Sequence, residues 1–483
     1  MGDVLTCDWE WESFERVLTI GSFTIVNFGP LWAPIRSFSI TRDEKLQLIM
    51  ETRAEQTATS YATPYPLGTV RVNTDTVTLS NRMGIEMVAG GVQSHGWKTS
   101  FYGDPTLCEL REECSVHNLK GIINPHQDPK YVIDWLANVD DSFIWPDVSD
   151  DETQITKTRS LRGGNNGPVL RAEQKHTGGS RNCAKLSIEG FELYLCTAKS
   201  AAAKGVSKPG CILYIGTPPD DFRDKIRRCL SFSLGTYLVY LGCSSFCDNW
   251  SLSSFEAISA YSLGGKAFDL PPSPPSPLGT RYEREINPEL LSRMVNSLYS
   301  HYDALHFGPL SWAYWHAMCA TPHIAAVHFG AVIEALQRSY LKANKGVLKT
   351  KLVEEKEWER MKAPVASVES SISGLATDDD VKTLIKNKLH DLNTKPPRLI
   401  TESLLNLLQL ELGERERKAW KRRNVAAHGG SDEAKEVVDL VRDIKLLRLR
   451  FHRMLLSITK ASDLYYDYFS LGHPTRKLTE PVP

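Results

Sequence analysis

Residues 421–430 read KRRNVAAHGG and set Arg423, Asn424 and His428 close together before two glycines. A guanidinium stays charged and binds two phosphoryl oxygens at once, so Arg423 suits charge developing on a phosphate. An imidazole titrates near neutral pH, so His428 suits taking or returning a proton. Asn424, polar and uncharged, suits orienting the imidazole or hydrogen-bonding the phosphate. The residue types therefore fit proton transfer beside a phosphoryl group. Spacing alone is a weak signal, because the same separation recurs in Arg171–His176 of RAEQKH. A helix-end pair of cations complementing the dipole is the bland account, and Arg422 could stand in for Arg423. Cations flank the motif at Lys418, Lys421 and Arg422, and more follow at Arg442, Lys445, Arg448, Arg450 and Arg453. Such residues are often only a solvated face, but beside a phosphate site they could grip a nucleic-acid backbone.

These side chains need packed helices to hold them. A helix is expected over 398–427, closing at Gly429–Gly430, which favour a C-terminal cap. Asn424 and His428 are four apart and share its face, whereas Arg423 and His428 diverge by about 140°. Arg423 must then reach around with its long stem, or the turn must unwind at the glycines. Val425, Ala426 and Ala427 are small enough for another helix, or a second copy of the motif across a dimer axis, to approach. The next helix is expected near Ser431, with Val437, Val441, Ile444, Leu447, Phe451, Leu455 and Ile458 as its apolar stripe. Upstream, Pro322 to about Ala343 shows Phe329, Val332, Ile333, Leu336 and Tyr340 on one face, with Thr321 placed to cap it and Pro322 at the first position. Glu334 lies on this helix, and Arg338 four residues on offers it a surface ion pair. Further helices are expected around 347–373 and 377–392.

Before residue 270 the pattern differs. RVLTIGSFTIVNFG, GTVRVNTDTVTLSN, AKLSIEGFELYLCTA and CILYIG read as strands. One helix interrupts them in DDFRDKIRRCLSFSLG, with Asp220 or Asp221 as N-cap and a strand, TYLVYLG, directly after. The glycine-rich stretch 159–182 is expected to be a mobile loop. PPSPPSP at 271–277 is expected to be a semi-rigid connector. The fold class is thus α+β and multidomain: a β-rich N-terminal domain over 1–270, a linker over 271–285, an all-α domain over 286–470 and a tail over 471–483.

With 483 residues, two or three domains are expected. With 57 basic against 58 acidic residues there is no general positive coat, so any RNA contact must come from a local patch. No apolar run is long enough to span a membrane, and the N-terminus has no signal-peptide pattern. The ten cysteines are scattered and fit reduced thiols in a cytoplasmic protein better than a disulfide framework. Neither Cys243 and Cys247 nor His316, Cys319 and His323 make a convincing metal site, because the first pair lacks a partner pair and Thr321–Pro322 breaks the second set. No metal or other cofactor is expected.

RNVAAH resembles the R-N-x-x-x-H motif of HEPN-domain ribonucleases, and HFGAVIEALQRSY resembles the A-x-E-A-type helix of many of them. The layout, and the segment DFRDKIRRCLSFSLGTYLVYLG, are similar to ApeA-like anti-phage proteins. The C-terminal likeness covers roughly a third of the chain and rests on a short motif in helical context. It implies metal-independent RNA cleavage, in which a ribose 2′-OH attacks the adjacent phosphate to leave a 2′,3′-cyclic phosphate and a 5′-OH. Arg423 would stabilise the phosphate, His428 would be the acid or base, Asn424 would orient it, and Glu334 would assist or position. The cleft would lie between two protomers of a homodimer. The substrate would be tRNA or another structured RNA, cut in abortive defence, with a phage-derived trigger or regulatory protein engaging the N-terminal domain. The alternative is a non-catalytic HEPN module that binds RNA or nucleotide, or serves as a dimerisation scaffold.

Overall fold

In a computed structural model of the chain, the residues described are 18, 22–31, 34–57, 75–101, 107–140, 142–160, 169–198, 208–279, 285–427 and 437–483. The chain divides into two compact units, Met1–Tyr299 and Ser300–Pro483.

In the first unit, alternating apolar residues make strands with one buried face. Thr76–Ser80 shows this directly, since Val77 and Leu79 are fully buried between more exposed neighbours. Eleven strands form one antiparallel sheet, in the spatial order Thr24–Asn27, Thr76–Ser80, Glu86–Gly90, Asn118–Ile122, Leu252–Ile258, Val239–Phe246, Tyr131–Ala137, Pro209–Ile215, Phe191–Thr197, Val169–Ile188 and Asp147–Ser160. A second sheet orders Ile35–Arg42, Leu48–Thr57, Leu107–Val116 and Gln93–Phe101. Its Ile40, Met50 and Cys114 share a core with Val77, Met87, Leu119 and Phe255 of the larger sheet. The two sheets therefore pack face to face.

Helix α1 (Asp220–Leu234) packs on the other half of the large sheet through a buried charge cluster. Asp134 on the central strand is fully buried and accepts from the guanidiniums of both Arg223 and Arg227. The Tyr214 hydroxyl donates to it at 3.4 Å, and Arg227 lies 3.8 Å from the Tyr240 ring centroid. α1 begins where expected, but its N-cap is Pro219, and Asp220 and Asp221 sit in the first turn. There they favour the helix dipole rather than cap it.

Two expectations for this unit are corrected. Of the stretch 159–182, residues 161–168 lie outside the described residues, and the rest belongs to two long antiparallel strands with pairs from Asp147↔Cys183 to Ser160↔Val169. Both faces of that ribbon are exposed, so its backbone ladder forms without the apolar alternation that marks a half-buried strand. The proline-rich segment, expected as a semi-rigid connector between domains, is packed into the first unit. Ser273, Ser276 and Leu278 are buried, Ser273 donates its backbone N–H to Gly235 O at 2.9 Å, and a Cβ at Gly235 would collide with the Ser273 backbone. The left-handed φ of 64° at Gly235 ends α1 and opens the space that the prolines fill. α2 (Pro288–Ser300) also belongs largely to this unit. Its Tyr299 ring lies 5.3 Å from Phe222, and Asn296 donates to Ser187 O at 3.0 Å.

The second unit is helical: α3 (Phe307–Cys319), α4 (Pro322–Ala343), α5 (Glu355–Ser373), α6 (Asp379–His390), α7 (Pro397–Leu407), α8 (Glu414–Ala427) and α9 (Val437–Thr459). α4 packs against α3, α8 and α9, and α9 against α8. Phe329, Val332, Ile333 and Leu336 are buried on α4 as its periodicity predicts, with Thr321 as N-cap and Pro322 first in the helix. The single helix expected over 398–427 is two. Gln409 takes a left-handed φ of 54°, and a Cβ on Gly413 would come within 2.5 Å of Val482 O, so the chain turns between them. Glu416 then caps α8 by accepting the Gly413 N–H at 2.7 Å. Val437 and Val441 are exposed, whereas the rest of the α9 stripe from Leu447 is buried. Among the described residues no helix is long and apolar enough to cross a membrane.

Candidate functional site

Arg423 leaves α8 toward α4. Its guanidinium pairs with the Glu334 carboxylate and lies 4.1 Å from the Trp420 ring centroid. It crosses α4 over Gly330: a Cβ there would sit 2.7 Å from Arg423 Cδ and 2.9 Å from Cζ. Gly330 and Glu334 are four apart and share one helical face, so the glycine supplies the gap and the glutamate the anchor. The Arg423 side chain is only 11% exposed while Glu334 is 49% exposed. The charge pair thus sits at the surface end of a buried stem. Glu334 is committed to another helix, whereas the sequence had offered Arg338 on its own.

Arg422 takes a different route. It pairs with Asp443 of α9, whose side chain is 7% exposed. The two adjacent arginines tie α8 to two separate helices. Arg422 is an anchor between α8 and α9. Arg423 is the one set in a cradle.

Arg450 lies behind the cradle. It is 3% exposed and its guanidinium is also 4.1 Å from the Trp420 ring centroid. Burial, with Arg423 and Arg453 nearby and only partly opposed by Glu416, brings its pKa down to about 10. Arg453 is buried as well. It donates to Glu416 Oε1 at 2.8 Å, Glu411 O at 2.7 Å and Leu478 O at 3.0 Å. The row of cations expected along α9 is therefore not one solvated face, because Arg450 and Arg453 point into the unit.

Lys418 and Arg422 line a groove of about 970 Å³ with Arg415, Arg442 and Lys445, and Asp439, Asp443, Val438, Leu446 and Phe469 also line it. Lys418 pairs with Glu414 at 2.6 Å, and Arg442 with Asp439 at 3.3 Å. Lys421 is exposed on α8 and does not line this groove. The α8 backbone continues through Asn424 to Ala427. The Asn424 side chain and the whole of His428, with the two glycines after it, lie outside the described residues. Among the described residues no group of three or more His, Cys, Asp or Glu side chains is placed to hold a metal ion.

Two residues of this arrangement, Gly330 and Trp420, are not singled out in the sequence, and Arg450 stands there only as one of a row of helix cations. Gly330 could have been found as the small residue one turn before Glu334, and Trp420 as the aromatic one turn before Arg423. Nothing local marks Arg450 as buried. No protein-family model, curated protein or solved structure matches the chain.

Proposed function

We propose that the helical unit is a metal-independent endoribonuclease of the HEPN type, acting on tRNA or another structured RNA as a cytoplasmic homodimer in abortive anti-phage defence. The observation that carries the reading is the cradle. Gly330, Glu334 and Trp420 hold the guanidinium of Arg423 beside a half-exposed carboxylate, one residue before Asn424 and five before His428. A preorganised cation is what stabilising a pentavalent phosphate requires. In this reading the ribose 2′-OH gives its proton to a general base, the phosphorus gains the 2′-oxygen and loses the 5′-oxygen, and an acid protonates the leaving group. His428 serves as base or acid, Asn424 orients it, and Glu334 holds Arg423 rather than exchanging protons. The groove with Lys418 and Arg422 on its rim supplies backbone contacts, which makes binding salt-dependent. The N-terminal unit receives the trigger.

A second reading has its own support, since the Glu334 carboxylate already satisfies Arg423. A non-catalytic scaffold would use that pair only to fix α4 to α8. Expression of the wild type beside Arg423→Ala and His428→Ala, with a chelator in the cleavage assay, separates the two. The nuclease reading expects 2′,3′-cyclic phosphate ends that persist in chelator and fall about 10²–10⁴-fold in each variant. Equal toxicity in all three, or cleavage that stops on chelation, overturns it.

A further inference from the structure

The first unit carries three cysteines in one cross-strand row. Cys183 lies opposite Cys196, and Cys196 opposite Cys211, with Trp135 next on the adjoining strand. Directly opposed residues of an antiparallel sheet project from the same face, and this face is the one turned away from Asp134. Cys183 is 5% exposed and Cys211 is fully buried, whereas Cys196 is partly exposed.

The register distinguishes the two possible pairings. The hairpin joining these strands turns in two residues, Glu189 with φ 49° and Gly190 with φ 83°, and closes on the pair Ile188↔Phe191. Two left-handed residues make a type I′ turn, whose flanking pair exchanges both backbone hydrogen bonds. Hydrogen-bonded and non-hydrogen-bonded pairs then alternate along the ladder. Counting back from Ile188 makes Cys183↔Cys196 a non-hydrogen-bonded pair. The neighbouring ladder agrees: Ala198 donates to Pro209 O at 2.9 Å, which makes Cys196↔Cys211 a hydrogen-bonded pair. Non-hydrogen-bonded partners lie about 4.5 Å apart at Cα against about 5.5 Å for the other kind, with their side chains closer. Such a pair meets the reach of a disulfide with little backbone movement.

We propose that Cys183 and Cys196 are a redox-sensitive pair that hydrogen peroxide converts to a reversible disulfide, stapling the base of the exposed strand pair 147–160 and 169–182 to the sheet. In the reduced protein the Cys183 thiol hydrogen-bonds to the Cys196 sulfur, and this contact, followed by burial, raises the pKa of Cys183. Cys196 is the more exposed of the two and therefore the member that meets peroxide first. The Cys196 thiolate attacks one peroxide oxygen, the O–O bond breaks, hydroxide leaves and a sulfenic acid remains. The Cys183 sulfur then attacks the sulfenic sulfur, the S–O bond breaks, and the departing hydroxide takes the Cys183 proton as water. Two thiols lose two electrons to one peroxide, and two waters form. Dithiothreitol returns both thiols by exchange.

Peptide mapping of the native full-length chain tests this, because Lys185 lies between the two cysteines and trypsin separates them. After brief peroxide treatment and alkylation, peptide 182–185 should appear joined to peptide 186–199, lighter than their sum by two hydrogens. Dithiothreitol should restore both. Cys211→Ser should still form the link, and Cys183→Ser should instead accumulate oxidised Cys196 without it. A link from Cys196 to Cys211, or sulfinic acid at Cys196 in the wild type with no link, overturns the proposal. The readout does not involve RNA, so its outcome is separate from that of the nuclease reading.

Discussion

At the scale of single residues, the arrangement around Arg423 depends on an atom that is absent. Alanine normally outranks glycine inside a helix by about 1 kcal/mol, so Gly330→Ala should stabilise α4 if nothing crossed it. The Arg423 stem does cross it, and a Cβ would fall 2.7 Å from its Cδ. Gly330→Ala is therefore expected to keep the helical content and lose the Glu334–Arg423 pair, and on the proposed nuclease reading to cut RNA cleavage by about 10²-fold, the scale of losing one preorganised donor. Circular dichroism beside a cleavage assay reads both effects. Unchanged cleavage in a folded Gly330→Ala protein would mean that the cradle is only structural. Glu334 itself is half exposed, so the pair contributes geometry more than stability, as exposed ion pairs do.

At the scale of elements, α3 and α9 meet at a buried histidine. His452 is fully buried on α9, its Nε2 is 2.9 Å from the Tyr314 hydroxyl of α3, and the Tyr314 ring stacks on Phe451. Burial, with the Arg448 charge adding to it, holds the His452 pKa well below its ordinary 6.5. The unfolded chain binds this proton near the ordinary value and the folded chain does not. Stability from His452 is therefore complete above about pH 6.5 and is lost as pH falls below it, by up to about 1.4 kcal/mol per pH unit. Chemical denaturation of the wild type and His452→Gln between pH 7 and pH 5 should show the variant with a shallower slope, by about one proton. Parallel slopes would show that the imidazole takes up its proton without unfolding. Charge also fixes α1, where Asp134 receives two arginines on the central strand. Removing the carboxylate would leave two buried arginines with only the exposed Asp220 and Asp224 as carboxylate partners.

For the whole molecule, the boundary at Tyr299–Ser300 changes which fragments should fold. The break in composition at the prolines invites a cut near residue 270. Such a cut strips away the buried Ser276 and Leu278 and also Met294, Val295 and Leu298 of α2. A fragment ending at Tyr299 is expected to unfold cooperatively on heating, and one ending at residue 270 to aggregate or melt at least about 2 °C lower, the shift that roughly 1 kcal/mol produces in a large domain. Equal melting temperatures would return the boundary to the prolines.

What the sequence determined by itself are the features that repeat locally. The period of two in Thr76–Ser80 and the stripe Phe329, Val332, Ile333, Leu336 identify strand and helix, because each residue's burial follows from its neighbours along the same element. The residue types of the RNVAAH stretch are likewise read directly from the sequence, and the roles proposed for them rest on those types. Tertiary structure alone decided that Arg423 goes to Glu334 and Arg422 to Asp443, that Arg450 is buried, and that Ser273 packs against Gly235. It also placed Cys183 opposite Cys196. Each of these is a contact between segments distant in the chain or across a turn whose register sets the partner. No local periodicity encodes which charge, gap or sulfur will stand opposite.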